Sequence, residues 1–158
     1  MFETILVPLD GSELAEAALA PAVELQARFG SRLVLLRAVE SVSHRLMQPP
    51  AVIEPPAAIA ANVELIEKLT AADREEAKGY LATVRSRLAG KDVETLVVEG
   101  AAAAAVVAAA AQRGAGLIVM SSHGRGGLGR LVFGSVADAV LRQSGVPVLL
   151  VRAKLGEG

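Results

Sequence analysis

Leu117-Ile118-Val119-Met120-Ser121-Ser122-His123-Gly124-Arg125-Gly126-Gly127-Leu128-Gly129-Arg130 is the stretch on which the reading of this chain turns. An apolar run leads into four glycines and two arginines, Gly134-Ser135 closes the stretch, and a helical pattern follows. Glycine lets backbone N–H groups approach an anion closely. A helix N-terminus adds partial positive charge there, and arginine adds a full one. Strand, glycine-rich loop and helix in that order form the unit that a phosphate-binding site needs.

Outward from this unit, the same alternation repeats. Residues 4–9, 32–39, 93–98, 117–122 and 147–152 are short apolar runs, continuous rather than alternating, as in strands covered on both faces. Between them lie helical patterns over 13–29, 62–90, 101–111 and 135–144. Ser12 is placed to cap the first helix and Gly30 to stop it. Asn62 is placed to cap the second. The third is alanine-dense, which is helix-favouring and not a sign of disorder. The region 40–61 holds Pro49, Pro50, Pro55 and Pro56 and predicts a flexible insertion without regular structure. Five strands alternating with four helices predict an α/β fold, a doubly wound five-stranded parallel sheet of order 3-2-1-4-5 with helices on both faces. In such a sheet ligands sit beyond the carboxyl ends of the strands where the order reverses, here between strands 1 and 4. Asp10-Gly11-Ser12 and the glycine-rich stretch meet at that point.

The composition narrows the possibilities. A length of 158 residues fits a single domain, 1–158, with a substantial core. A net charge of −1 gives no general drive toward nucleic acid or membranes, and 3% aromatic residues offer few base-stacking platforms. The absence of cysteine excludes disulfides and thiolate metal sites. No apolar run approaches the roughly 20 residues that span a bilayer. Met1-Phe2-Glu3-Thr4 lacks the basic flank and apolar core of a signal peptide, so a cytoplasmic location is expected.

Three phosphate-loop patterns compete. Gly129 to Gly134 has the glycine spacing of a Walker A loop, but Ser135 stands where lysine is required. Gly124, Gly126 and Gly129 match the dinucleotide pattern Gly-x-Gly-x-x-Gly, yet in the last βαβ unit and without the acidic residue about 20 positions on. The third pattern is longer: Met120-Ser121-Ser122-His123-Gly124, nine residues, Gly134-Ser135, and then Val136 through Pro147-Val148-Leu149-Leu150-Val151. Together with Ile5-Leu6-Val7-Pro8-Leu9-Asp10-Gly11-Ser12, it resembles the universal stress protein family over essentially the whole chain. ATP-binding members of that family carry Gly-x2-Gly-x9-Gly-Ser/Thr at this place.

That resemblance implies a site residue by residue. Pro8 and Asp10 would face the nucleoside, and Ala38 and Val39 would contact adenine through backbone and apolar surface. Met120, Ser121, Gly124, Arg125 and Gly127 would lie along the ribose and first phosphates. Gly134, Ser135 and Val136 would hold the terminal phosphates, with Mg2+ (or Mn2+) bridging them. It also implies a homodimer through the last strand, from Val146 to Arg152, whose apolar edge needs cover. Ser121 stands where the family motif begins with glycine. Serine fits if the position serves only close approach to the ribose, and is costly if it requires a positive φ.

The residues also carry plainer roles. Asp10 fits a turn-and-cap residue, Ser135 with Asp138 matches a capping box, and His123 reads as a loop hydrogen-bonder. No residue looks like a dedicated water-activating base, so an ATP-binding regulatory module with at most slow hydrolysis is the leading reading. The alternative is a nucleotide-free dimeric interaction module of the same fold.

Overall fold

A computed structural model describes residues 1–41, 56–123 and 134–153, with 56–60 described by backbone alone. The elements in order are β1 (Thr4–Pro8), α1 (Glu13–Glu16), α2 (Leu19–Phe29), β2 (Arg32–Val39), α3 (Pro56–Arg87), β3 (Val93–Glu99), α4 (Ala102–Gln112), β4 (Leu117–Ser121), α5 (Ser135–Gln143) and β5 (Val148–Val151). The strands form one sheet of order β3-β2-β1-β4-β5. All four pairings are parallel, with Ile5 opposite both Leu33 and Leu117, and Val119 opposite Leu149. The switch point therefore lies between β1 and β4, as the apolar runs predict.

Continuous apolarity has the expected cause, because each inner strand is covered on both faces. Ile5, Val7, Leu33, Leu35, Leu117 and Val119 pack with Ala15, Ala18, Ala22, Leu81 and Val84 on one face. Leu6, Val34, Leu36, Ile118 and Met120 pack with Val106, Ala109, Ala110, Ala137 and Val140 on the other. Among the described residues no helix is long and apolar enough to cross a membrane.

Three expectations about helices are corrected. The first helix is two: its ladder tightens to i−3 bonds from Ala17 N–H to Leu14 and from Ala18 N–H to Ala15, and α2 starts at Leu19. Pro21 is the cause, since its ring crowds the carbonyl four residues back and it has no N–H to donate there. The second helix begins at Pro56 and not at Asn62, so residues 56–61 are helical where an irregular insertion was expected. Proline at the first helical position costs no hydrogen bond, because that N–H would have no intrahelical partner. Residues 42–55 of that insertion lie outside the described residues. The third correction, at Ser135, belongs to the site. Gly30 does stop α2, with φ +66° and its N–H bonded to the Gln26 carbonyl at 2.9 Å.

Gly116 shows how closely the N-terminal segment packs. Its N–H donates to the Thr4 carbonyl at 2.9 Å, and a Cβ built there would lie 2.1 Å from the Met1 carbonyl oxygen. Gly116→Ala must push Met1–Phe2 away and disturb the edge-to-face contact of Phe2 with Phe29. A loss of about 1–3 kcal/mol in chemical denaturation is expected for such overpacking. An unchanged midpoint would show that the N-terminal segment is not held.

Candidate functional site

Three strand ends and one helix start meet at the carboxyl edge of the sheet. β1 ends at half-buried Pro8, which is opposite Leu36, and the Leu9 N–H donates to the Leu36 carbonyl at 2.8 Å. The chain then turns through Asp10-Gly11-Ser12, with Gly11 at φ +85°, a conformation open to glycine. Asp10 Oδ1 accepts from the Ser12 N–H at 2.9 Å and from the Ser12 hydroxyl at 2.5 Å. Ser12 Oγ in turn accepts from the Ala15 N–H at 3.2 Å and caps α1. The turn-and-cap role of Asp10 is therefore real, and it fixes the half-buried carboxylate at the mouth of the crevice. α1 itself packs against β4, which brings this turn to the switch point.

At the end of β2 the two expected contact residues differ. The Leu36 carbonyl points toward β1, so Ala38, two residues on, directs its N–H and carbonyl the same way, past the last paired residue of β1. Val39 points its carbonyl to the other side, where the Gly100 N–H takes it at 2.9 Å. Its side chain is buried. Ala38 can offer backbone groups to the crevice; Val39 offers apolar surface only.

β4 delivers Met120 and Ser121, both buried. Ser121 is the last residue of β4, in parallel register with Val151. Its backbone is extended, so this position does not demand the positive φ for which glycine would be needed. Beyond it, Ser122 is buried as well, and its N–H donates to the Val151 carbonyl at 2.9 Å. Ser122 Oγ lies 2.9 Å from His123 Nδ1. The Ser122 carbonyl accepts from the Gly134 N–H at 2.7 Å. This bond ties together the two ends of the glycine-rich stretch, and no sequence motif announces it. Gly124, Arg125 and Gly127 lie outside the described residues.

Gly134, not Ser135, is the N-cap of α5. The Asp138 N–H bonds to the Gly134 carbonyl at 2.9 Å, and the Asp138 carboxylate pairs with Arg142 at 2.9 Å. The expected capping box is therefore absent, because a helix that starts one residue early places Ser135 inside its first turn. With no side-chain cap, the amides of Ser135, Val136 and Ala137 have no intrahelical partner and carry the positive end of the helix dipole. Ser135 is exposed and Val136 is 37% exposed. Among the described residues no cluster of three or more His, Cys, Asp or Glu side chains could hold a metal ion by itself.

The universal stress protein family matches residues 1–152. The chain belongs to that family. This universal stress protein is 35% identical over 152 residues to one from Thermus aquaticus, spanning 96% of this chain and 100% of the other. It is 29% identical over 161 residues to the universal stress protein MJ0577 of Methanocaldococcus jannaschii, spanning 98% and 97%. A solved structure of MJ0577 superposes with a TM-score of 0.80 at 27% identity, covering 99% of each chain. A universal stress protein in complex with cAMP superposes with a TM-score of 0.61 at 25% identity, covering 97% and 98%.

Proposed function

We propose that this universal stress protein is an ATP-binding stress-response module, with the nucleotide lying across the carboxyl ends of β1, β2 and β4. The observation that carries this reading is the uncapped start of α5, held at the end of β4 by the Gly134–Ser122 bond. Open amides at a helix N-terminus suit a phosphate chain. On this reading Ser135 and Val136 bind the terminal phosphates through their backbone amides, the Ser135 hydroxyl adds a donor, and Gly134, whose own N–H is taken by Ser122, leaves room beside them for the phosphates. Ala38 offers backbone groups to the adenine edge, and Val39 and Met120 add apolar surface. Pro8 and the carboxylate of Asp10 face the nucleoside, with Ser121 beside the ribose. The family resemblance would add Gly124, Arg125 and Gly127 to the residues along the ribose and first phosphates. Mg2+ (or Mn2+) would take its oxygens mainly from phosphate and water. A neighbour of the same fold in complex with cAMP supports a nucleotide as the ligand class.

Calorimetry of the parent chain with ATP and magnesium tests this. Saturable binding with a dissociation constant at or below about 100 μM, near −5.5 kcal/mol, is expected. No heat at millimolar ATP would favour the nucleotide-free interaction module instead. Steady-state phosphate release should stay well under about 1 per second, since among the described residues no base or lysine is set to activate water.

The same protein is proposed to form a homodimer through β5. Among the described residues this strand pairs only with β4, and it leaves Leu149 39% exposed. Leu149 also borders an open groove of about 390 Å³ with Ala20, Pro21, Glu24 and Leu25 of α2.

A further inference from the structure

Behind the crevice, α3 reaches the two segments that form the proposed nucleoside side through one aromatic ring. The Tyr80 hydroxyl donates to Glu16 Oε1 at 3.0 Å, and Arg87 Nη2 donates to Glu16 Oε2 at 2.8 Å. Both carboxylate oxygens of Glu16 are thus held from α3. The face of the same ring carries Arg37, whose guanidinium carbon is 5.1 Å from the ring centroid. Arg37 is buried in β2, gives Nη2 to Glu76 at 2.8 Å, and among the described residues makes no hydrogen bond through Nη1. The ring face adds a cation–π contact to a buried guanidinium that has one nitrogen open.

Glu16 matters because of what lies ahead of it. It ends α1, a single turn whose ladder is interrupted before α2 by Pro21. One helical turn is not stable alone. α1 is held in front by Ser12 and Asp10, and behind by Glu16. Arg37 immediately precedes Ala38, the residue that directs its backbone toward the crevice. Tyr80 therefore touches, by its edge and by its face, both supports of the nucleoside side. Its hydroxyl stays a donor throughout the working pH range, because burial and then the Glu16 hydrogen bond and charge raise its pKa far above the ordinary value.

We infer that Tyr80 is a positioning residue for the crevice: without touching the nucleotide, it holds the Asp10 turn and the end of β2 in their relative places. This rests on the ATP reading for its effect on affinity, but its effect on α1 is independent of any ligand. Two measurements on the full chain separate the two. Tyr80→Phe keeps the ring under Arg37 and removes the bond to Glu16. In the ATP-free protein the amides of residues 15–18 should then exchange several-fold faster, at least about threefold, as expected for a locally loosened unit. In calorimetry the ATP dissociation constant should rise roughly 3–10-fold, the usual size of an effect exerted without ligand contact. Val106→Ala, a buried change on the opposite face of the sheet, should lower the melting temperature yet leave both readouts within about twofold.

Unchanged exchange at residues 15–18 in Tyr80→Phe overturns the inference, as does unchanged affinity in a parent that binds ATP. Should Tyr80→Phe not fold, Glu16→Gln keeps the side chain's shape and removes the charge held by Arg87. It must accelerate the same amides, and failure to do so overturns the inference equally. A parent that binds no ATP overturns the proposed function, and the exchange comparison alone then decides the role of Tyr80.

Discussion

Ser135→Asp is expected to raise the dissociation constant for ATP and magnesium by at least about 100-fold while leaving the protein folded, a loss near 3 kcal/mol. The two effects of this substitution have opposite signs. A carboxylate in the first turn of α5 complements the helix dipole and stabilises the fold by about 0.3–1 kcal/mol. The same carboxylate opposes a phosphate that would sit on the Ser135 and Val136 amides. Two like charges about 4 Å apart at an effective dielectric near 20 repel by roughly 4 kcal/mol, which exceeds the gain. Ser135 is exposed, so aspartate creates no packing conflict. Calorimetry and thermal melting should be run together. An unchanged or higher melting temperature with lost binding is the expected pair of results. Equal binding by parent and variant would remove α5 from the phosphate site.

The second large effect is expected in assembly. Leu149→Lys should convert a dimer into a monomer at tens of micromolar. Only 39% of Leu149 is left to be covered on association, so its burial contributes about 0.6–1.2 kcal/mol of the roughly 1.5–3 for a whole Leu side chain, and a two-fold axis counts it twice. Losing roughly 1–2.5 kcal/mol of burial, with a further cost of several kcal/mol for two lysine charges taken out of water at the interface, corresponds to a dimer weakened by at least about 100-fold. Leu149 is already 39% exposed in the single chain, so lysine there is tolerated in the folded protomer and circular dichroism should not change. Sedimentation of the parent should give the dimer mass and of the variant the monomer mass. A parent that is monomeric at tens of micromolar would refute the edge-to-edge interface.

Much of the site's framework was legible because it depends on local pattern. Asp10-Gly11-Ser12 reads as turn and cap from residue type alone, and the coordinates place every one of those bonds. Ser121 was ambiguous in sequence, since one letter cannot say whether a glycine serves close approach or a positive φ. The extended backbone at β4 answers the φ half of that question. The capping box at Ser135 and Asp138 misled, because two letters three apart fit equally well when the helix begins one residue earlier or later. Asp138 turned to Arg142 instead. Arg37 carries a signal of its own in the sequence: one charge inside an otherwise apolar strand marks either an edge or a buried partner.

The sequence by itself determined the parallel α/β class and the two-faced core of this universal stress protein. Continuous apolar runs separated by helical patterns leave few ways to bury both faces of every inner strand. It also determined the family, through paired signals at both ends of the chain and the nine-residue spacing from Gly124 to Gly134. Only the tertiary structure decided which charges meet. Glu16 finds Tyr80 across 64 positions and Arg87 across 71, while Arg37 finds Glu76 across 39. Periodicity records how deeply each residue is buried along its own element. It does not record where α3 crosses the sheet, and that crossing brings Tyr80 to the back of both loops.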